Sequence, residues 1–210
     1  MPIIDIENYS KLIKKRPVLN SINYHFENGT IYGLHGQNGS GKTMLLRAIS
    51  GLIFPTTGTV TIDGKLLQKD IDFPPHTGII IEHTELLPNM TGYENLKMLS
   101  KINKTATDDD ILDSLKQVGL GGHEHTKVKN YSLGMKQKLS LAQAIFEKPS
   151  LLLLDEPTNA LDEDSVQLIH DILLRLKEQG CTIIMATHNK EELLALADHI
   201  MKMVDGELIS

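Results

Sequence analysis

The stretch Gly36-Gln37-Asn38-Gly39-Ser40-Gly41-Lys42-Thr43 constrains this chain more than any other, because it fits the spacing G-x-x-x-x-G-K-[ST] throughout. Gly36, Gly39 and Gly41 allow backbone dihedrals that a Cβ would forbid, and the N–H groups of Gln37, Asn38, Ser40 and their neighbours then turn inward as an anion nest. Lys42 reaches the β- and γ-phosphates of a nucleoside triphosphate as a point charge, and Thr43 places a hydroxyl where a Mg²⁺ ion bridging those phosphates is ligated. Residues 30–35, β-branched and apolar, end at the loop, and residues 44–53 carry helix formers after it. Strand, glycine loop and helix in that order predict a phosphate-binding loop at the edge of an α/β sheet. A chance glycine turn before a helix is the plainer alternative, and this context argues against it.

A chain of 210 residues with 40% hydrophobic content is long enough for one large domain or two lobes sharing a core. Net charge is −6 and no cationic block exceeds Lys14-Lys15-Arg16, so neither a nucleic-acid footprint nor a polybasic membrane patch is present. Met1-Pro2-Ile3-Ile4-Asp5 lacks the charged and apolar regions of a secretion signal. The longest apolar runs, residues 151–154 and 183–186, fall far below the roughly 18 residues of a membrane span and read as buried strands. Cys181 is the single cysteine, which excludes an intramolecular disulfide, fits a reducing cytosol and, at the start of an apolar strand, reads as a core residue.

Along the chain, residues 3–9 read as a strand, followed by Ile22, Tyr24 and Phe26 alternating with polar neighbours and a turn at Glu27-Asn28-Gly29. Val60 and Ile62 lead into Asp63-Gly64, a hairpin signal, which marks antiparallel material beside the α/β core. Residues 78–81 form a further apolar strand. Thr91 and Glu94 then stand at capping-box spacing, Thr107 and three aspartates open a second helix ending near Gly119, and residues 132–146 form a third. Strands at residues 151–155, 182–186 and 199–204 follow, with a helix over 163–179 between the first two. His123 and His125 have the spacing of metal ligands, yet with no further clustered ligands they read as part of a solvated loop.

Two strand ends carry candidate chemistry. The run Leu151-Leu152-Leu153-Leu154 ends in Asp155-Glu156, where Asp155 fits a metal-site carboxylate and Glu156 a general base for the water attacking the γ-phosphate. A solvated acidic pair opening a turn at Pro157 is the alternative. Thr187-His188 ends the next apolar strand, which brings His188 to the same sheet edge.

In this order the elements resemble the ATP-binding subunit of ATP-binding cassette (ABC) transporters over essentially the whole chain. Tyr131-Ser132-Leu133-Gly134-Met135-Lys136-Gln137-Lys138 is similar to the signature L-S-G-G-Q-x-Q-R, with Ser132 and Gly134 retained, and Asn159-Ala160-Leu161-Asp162 resembles the D-loop, with Asp162 at its key position. The resemblance implies a P-loop NTPase (RecA-like) core with an N-terminal antiparallel β subdomain and an inserted α-helical subdomain. It further implies a single cassette over residues 1–210, with 1–83 and 150–210 as core and 84–149 as the helical part. It implies ATP and Mg²⁺ as cofactors, Thr43, Glu82 and Asp155 at the metal, and Glu156 as base. His188 would contact the γ-phosphate, and Ser132 and Gly134 would close over the P-loop of a second copy in a head-to-tail dimer. A separate transmembrane permease is implied as partner, with the chain cytoplasmic on the inner face of the cell membrane.

Two departures are informative. Glu82 stands where most members have glutamine, bringing a negative charge near the phosphates, and Ile13 aligns with the aromatic that stacks on adenine, Tyr9 being assigned instead to the core face of its strand. Glutamate at that place together with Tyr-Ser-Leu-Gly-Met-Lys-Gln is similar to the bacterial subgroup of lantibiotic-immunity and bacitracin-resistance exporters, which implies export of an antimicrobial peptide. The readings set against it are a soluble ABC-type ATPase outside transport, a weakly hydrolysing regulatory subunit, and a small-molecule kinase on a P-loop fold. The last leaves residues 132–137 unexplained.

Overall fold

The computed structural model describes residues 3–82 and 84–209; the secretion reading of Met1-Pro2 and the place of His83 lie outside them. Ten strands and six helices build two sheets among the described residues. The first sheet is antiparallel, in the order β2 (Arg16–Phe26), β1 (Ile4–Ile13), β4 (Thr57–Ile62), β5 (Lys65–Leu66). The second runs β10 (Glu207–Ile209), β9 (His199–Val204), β3 (Ile31–His35), β8 (Thr182–Ala186), β7 (Leu151–Asp155), β6 (Thr77–Ile80), parallel except for the β9–β10 edge.

The apolar run of β7 shows how one strand divides the molecule. Leu152 and Leu154 point into a core shared with the helices α2 (Gly92–Asn103), α3 (Asp108–Gln117), α4 (Leu133–Ile145) and α5 (Glu163–Glu178). Leu151 and Leu153 point the other way, to α1 (Lys42–Ile49) and the inner face of the antiparallel sheet. Burial on both faces is what a near-continuous hydrophobic strand means. The P-loop helix α1 is thereby packed between two sheets, with Leu45, Leu46 and Ile49 fully buried.

The antiparallel sheet departs from simple alternation. Asn8 and Ser21 have φ of 48° or thereabouts (47° and 48°), the register shifts beside them, and the buried face of β1 changes parity from Ile4 and Ile6 to Tyr9. Tyr9 is accordingly core, as its sequence position indicates, and its hydroxyl donates to the Ile53 carbonyl at 3.2 Å. Asp63 and Gly64, both at positive φ, close the β4–β5 hairpin.

Helices α2, α3 and α4, with a 3₁₀ turn at Val128–Asn130, lie between β6 and β7 in the chain. Both anticipated N-termini are formed, Thr91 with Glu94 and Thr107 with Asp110 making reciprocal capping boxes. Gly119, at φ 77°, ends the second helix in the left-handed conformation. Gly78 of β6 permits the closest approach of sheet and insertion, since a Cβ there would lie 1.9 Å from the Ala144 carbonyl oxygen of α4. This is the expected α/β architecture with an antiparallel β part and a helical insertion. Two elements were not anticipated: α6 (Lys190–Leu196), a short helix capped by Asn189, and β10, a three-residue edge strand. No helix among the described residues is long and apolar enough to cross a membrane.

Candidate nucleotide site

Because β3, β6, β7 and β8 run parallel, the segments that follow them emerge at one edge of the sheet. The P-loop follows β3, Glu82 comes two residues after β6, Asp155 ends β7 with Glu156 next, and His188 comes two residues after β8. Four sequence segments spread between Gly36 and His188 are gathered by that one topological fact.

In the P-loop, Gly39 and Gly41 are needed for conformation, at φ 83° and 109°, whereas Gly36 is needed for room: a Cβ there would lie 2.4 Å from the Met203 carbonyl oxygen. Lys42 is buried, and its Nζ donates to the carbonyls of Gly36 at 2.7 Å and Gln37 at 3.2 Å, so the ammonium arches back over the loop. Ser40 Oγ is buried without a hydrogen-bond partner among the described residues. Thr43 Oγ1 donates to Asp155 Oδ2 at 2.6 Å. Burial pushes the Asp155 carboxyl above the ordinary carboxylate range; the charges of Glu156 and Glu82 add to this, and the Thr43 hydroxyl and Lys42 oppose it.

Glu156 and His188 meet directly. Glu156 takes a left-handed φ of 49°, and its carboxylate lies 2.9 and 3.0 Å from His188 Nδ1 while accepting from the His188 amide at 3.0 Å and the Thr187 hydroxyl at 3.2 Å. Gln137 of α4 donates to the backbone carbonyls of Glu156 and Pro157, which ties the signature helix to the same corner. Helix α6, entered straight after His188, leans on α5 through Glu192 and His170, 3.4 Å apart and both largely buried.

A cavity of about 600 Å³ lies over the P-loop, with Lys42, Thr43, Asp155 and Glu156 at its phosphate end. Pro17 and Val18 wall it on the β2 side, Met44 on the α1 side, and Asp205-Gly206 opposite. Ile13, placed by sequence at the adenine, is not in this wall; it stands 42% exposed beside the Lys14-Lys15 turn, and the two-residue hairpin carries the chain on to Pro17 and Val18 before it reaches the cavity. Asp205-Gly206 was not anticipated. Its position follows from a turn after β9 that folds onto the loop, the Gly206 amide donating to Ser40 O at 2.9 Å. Glu82 pairs with Arg47 at 2.9 Å, a partner that nothing local in the sequence indicates.

Ser132 caps α4, accepting from the Met135 amide at 3.1 Å, and a Cβ added at Gly134 would meet Leu161 and Ala160 at van der Waals distance. Asp162 caps α5, and the hydroxyl and amide of Ser165 hold its carboxyl below the usual range. The signature segment and the D-loop segment are thus neighbours within one chain. Cys181 is buried and its thiol is pushed up to about 12, in keeping with a core role.

The donor set suits Mg²⁺ bound with a nucleotide. A hydroxyl and a carboxylate meet at Thr43 and Asp155, hard oxygen ligands of the kind that share the ion with phosphates, and no cluster of three His, Cys, Asp or Glu side chains forms a metal cage among the described residues.

Residues 19–159 match the sequence model of the family described as ABC transporter. The chain belongs to this family. Its relatives include the uncharacterized ABC transporter ATP-binding protein YybJ of Bacillus subtilis, 57% identical with 98% of this chain and 94% of the relative covered. The bacitracin transport ATP-binding protein BcrA of Enterococcus faecalis is 39% identical, with 99% and 68% covered. Among solved structures, a dimeric bacterial ABC transporter cassette superimposes with a TM-score of 0.90 at 25% identity, covering 99% of this chain and 97% of that one. This ABC transporter subunit binds and hydrolyses ATP, and the work is done for a membrane permease. Its cassette relatives form dimers.

Proposed function

We propose that two copies of the chain close head to tail around two ATP molecules, each held by the P-loop of one copy and the Ser132–Gly134 segment of the other. The Glu156–His188 contact at the same edge as the Thr43–Asp155 bond supports the catalytic half of this reading, and the likeness to a dimeric cassette supports the pairing. Lys42 and the loop amides take up charge on the phosphates, with Thr43, Asp155 and Glu82 as the oxygen ligands for Mg²⁺. When bound, that ion neutralises charge on the β- and γ-phosphates. Glu156 accepts a proton from water as the water oxygen bonds to the γ-phosphorus and the bond to the ADP oxygen breaks. His188 orients Glu156 and contacts the γ-phosphate, and Asp162 links the two sites across the dimer. The base lies against Pro17, Val18 and Met44, an aliphatic wall in which Ile13 has no part.

The permease is proposed to dock in a second groove, of about 620 Å³, walled by Phe73 and Ile79 on one side and by Leu99 and Ile102 of α2 on the other. Phe73 and Ile102 are 61% and 73% exposed, large apolar surfaces that a partner would cover. Residues 84–149 would then move relative to the remainder as the dimer closes. The likeness to a bacitracin transport protein supports export of an antimicrobial peptide, from a subunit seated on the inner face of the cell membrane. Glu156→Gln tests the catalytic reading: ATP binding and an ATP-stabilised dimer are expected to persist while phosphate release falls at least about 100-fold. Undiminished release would remove Glu156 from the role.

A further inference from the structure

Three carboxylates, Glu82, Asp155 and Glu156, stand at neighbouring strand ends around a site for a highly anionic ligand. Helix α1 supplies two cations there. Lys42 opens the helix toward the phosphates, and Arg47 lies four residues beyond Thr43, on the same helix face and about 6 Å further along the axis. Arg47 Nη2 meets Glu82 Oε2 at 2.9 Å, while its Nε is buried with no hydrogen-bond partner. The Nε edge of the guanidinium is therefore buried, while its Nη2 end reaches out to a half-exposed carboxylate. Glu82 reaches it from a left-handed backbone, φ 59°, which a residue with a Cβ seldom adopts without support from its surroundings.

Resting on the assignment of Thr43, Asp155 and Glu82 to the metal corner, we propose that Arg47 is a positioning residue for Glu82. It holds the carboxylate at that corner and offsets part of its charge, so that the nucleotide meets less negative charge there than a lone glutamate would present. Glutamate is tolerated beside the phosphates because its counter-charge is built into the helix that follows the P-loop. Arg47 itself touches neither nucleotide nor ion.

The test is binding of a fluorescent N-methylanthraniloyl ATP to the purified full chain, in EDTA and again with Mg²⁺, by wild type, R47M, E82Q, R47M/E82Q and R47K. One uncompensated charge at this range predicts about 5-fold weaker binding by R47M in EDTA, with R47M/E82Q and R47K returning to within about 2-fold of wild type. E82Q alone, which leaves Arg47 unopposed, is expected to bind about 2- to 3-fold more tightly in EDTA, and this arm stands even if R47M does not fold. Weakening that persists in R47M/E82Q, or unchanged binding by E82Q, overturns the proposal while the nucleotide site stands. A wild-type chain that binds no nucleotide would remove the site assignment and this proposal with it.

Discussion

Among the described residues, the α-helices begin in two contrasting ways. Helices α2, α3, α5 and α6 each have a side-chain cap, from Thr91, Thr107, Asp162 and Asn189, and each carries one to three acids in its first turn. That arrangement satisfies the free amides and complements the dipole, each acid contributing about 0.3–1 kcal/mol. Helix α1 has neither: its cap is Gly41, with no side-chain hydrogen bond, and no acid follows. Helix α4 stands between them, capped by Ser132 but without an acid in its first turn. The two N-termini proposed to face phosphate are thus the two that forgo the protein's own anions. Local stability is given up where an anionic ligand is to supply the missing charge.

Adding the absent acids should erase this difference. Met44→Glu places a carboxylate in the first turn of α1 at the cavity wall, and ATP binding is expected to weaken about 30-fold or more by fluorescence titration. Wild-type affinity in that variant would break the comparison at its strongest point. Gly134→Glu does the same to α4, where an added Cβ meets neighbours only at 3.5 Å and beyond. Steady-state phosphate release should fall about 10-fold while ATP binding by the monomer stays within about 2-fold, a split that follows only if α4 acts on a second copy's nucleotide. Smallest is Thr107→Ala at a conventional terminus, expected to cost about 1 kcal/mol in urea unfolding and to leave ATP binding alone. That cost should depend on pH. Lys148 first, then the hydroxyl and amide of Thr107, hold the Asp110 carboxyl well below its usual range. A carboxyl lowered in this way contributes stability above its unfolded pKa and loses it as pH falls through the folded one, so the gap between variant and wild type should narrow in acid without closing, because the Thr107 hydroxyl also accepts from the Asp110 amide.

The P-loop, the Asp155-Glu156 strand end and the helix caps were legible because each is a local pattern whose chemistry needs residues adjacent in the chain. What escaped was decided by distance. Arg47 and Glu82 are ordinary residues until β6 brings them together. Ile13 pairs with Arg16 at the end of the β1–β2 hairpin and does not line the cavity over the P-loop, and the register shifts beside Asn8 and Ser21 follow no alternation pattern in the sequence. Helix α6 was missed for another reason. Seven residues are too few for periodicity to register, and the helix is stabilised by the Asn189 cap and the burial of Leu193 and Leu196. The three residues of β10 are likewise a strand only because β9 is there to pair with them.

The contact between Gly78 and Ala144 has a mechanical consequence. Ala144 is near the C-terminal end of α4, and Ser132 caps the other end twelve residues away, about 18 Å along the axis. With no side chain between strand and helix, any rotation about this contact would turn on a point close to one end of α4. A rotation of about 10° there would carry Ser132 through about 3 Å, roughly the length of one hydrogen bond to a phosphate oxygen. Gly78 lies on the strand that leads to Glu82, so the strand preceding that carboxylate and the helix capped by Ser132 meet backbone to backbone at a glycine.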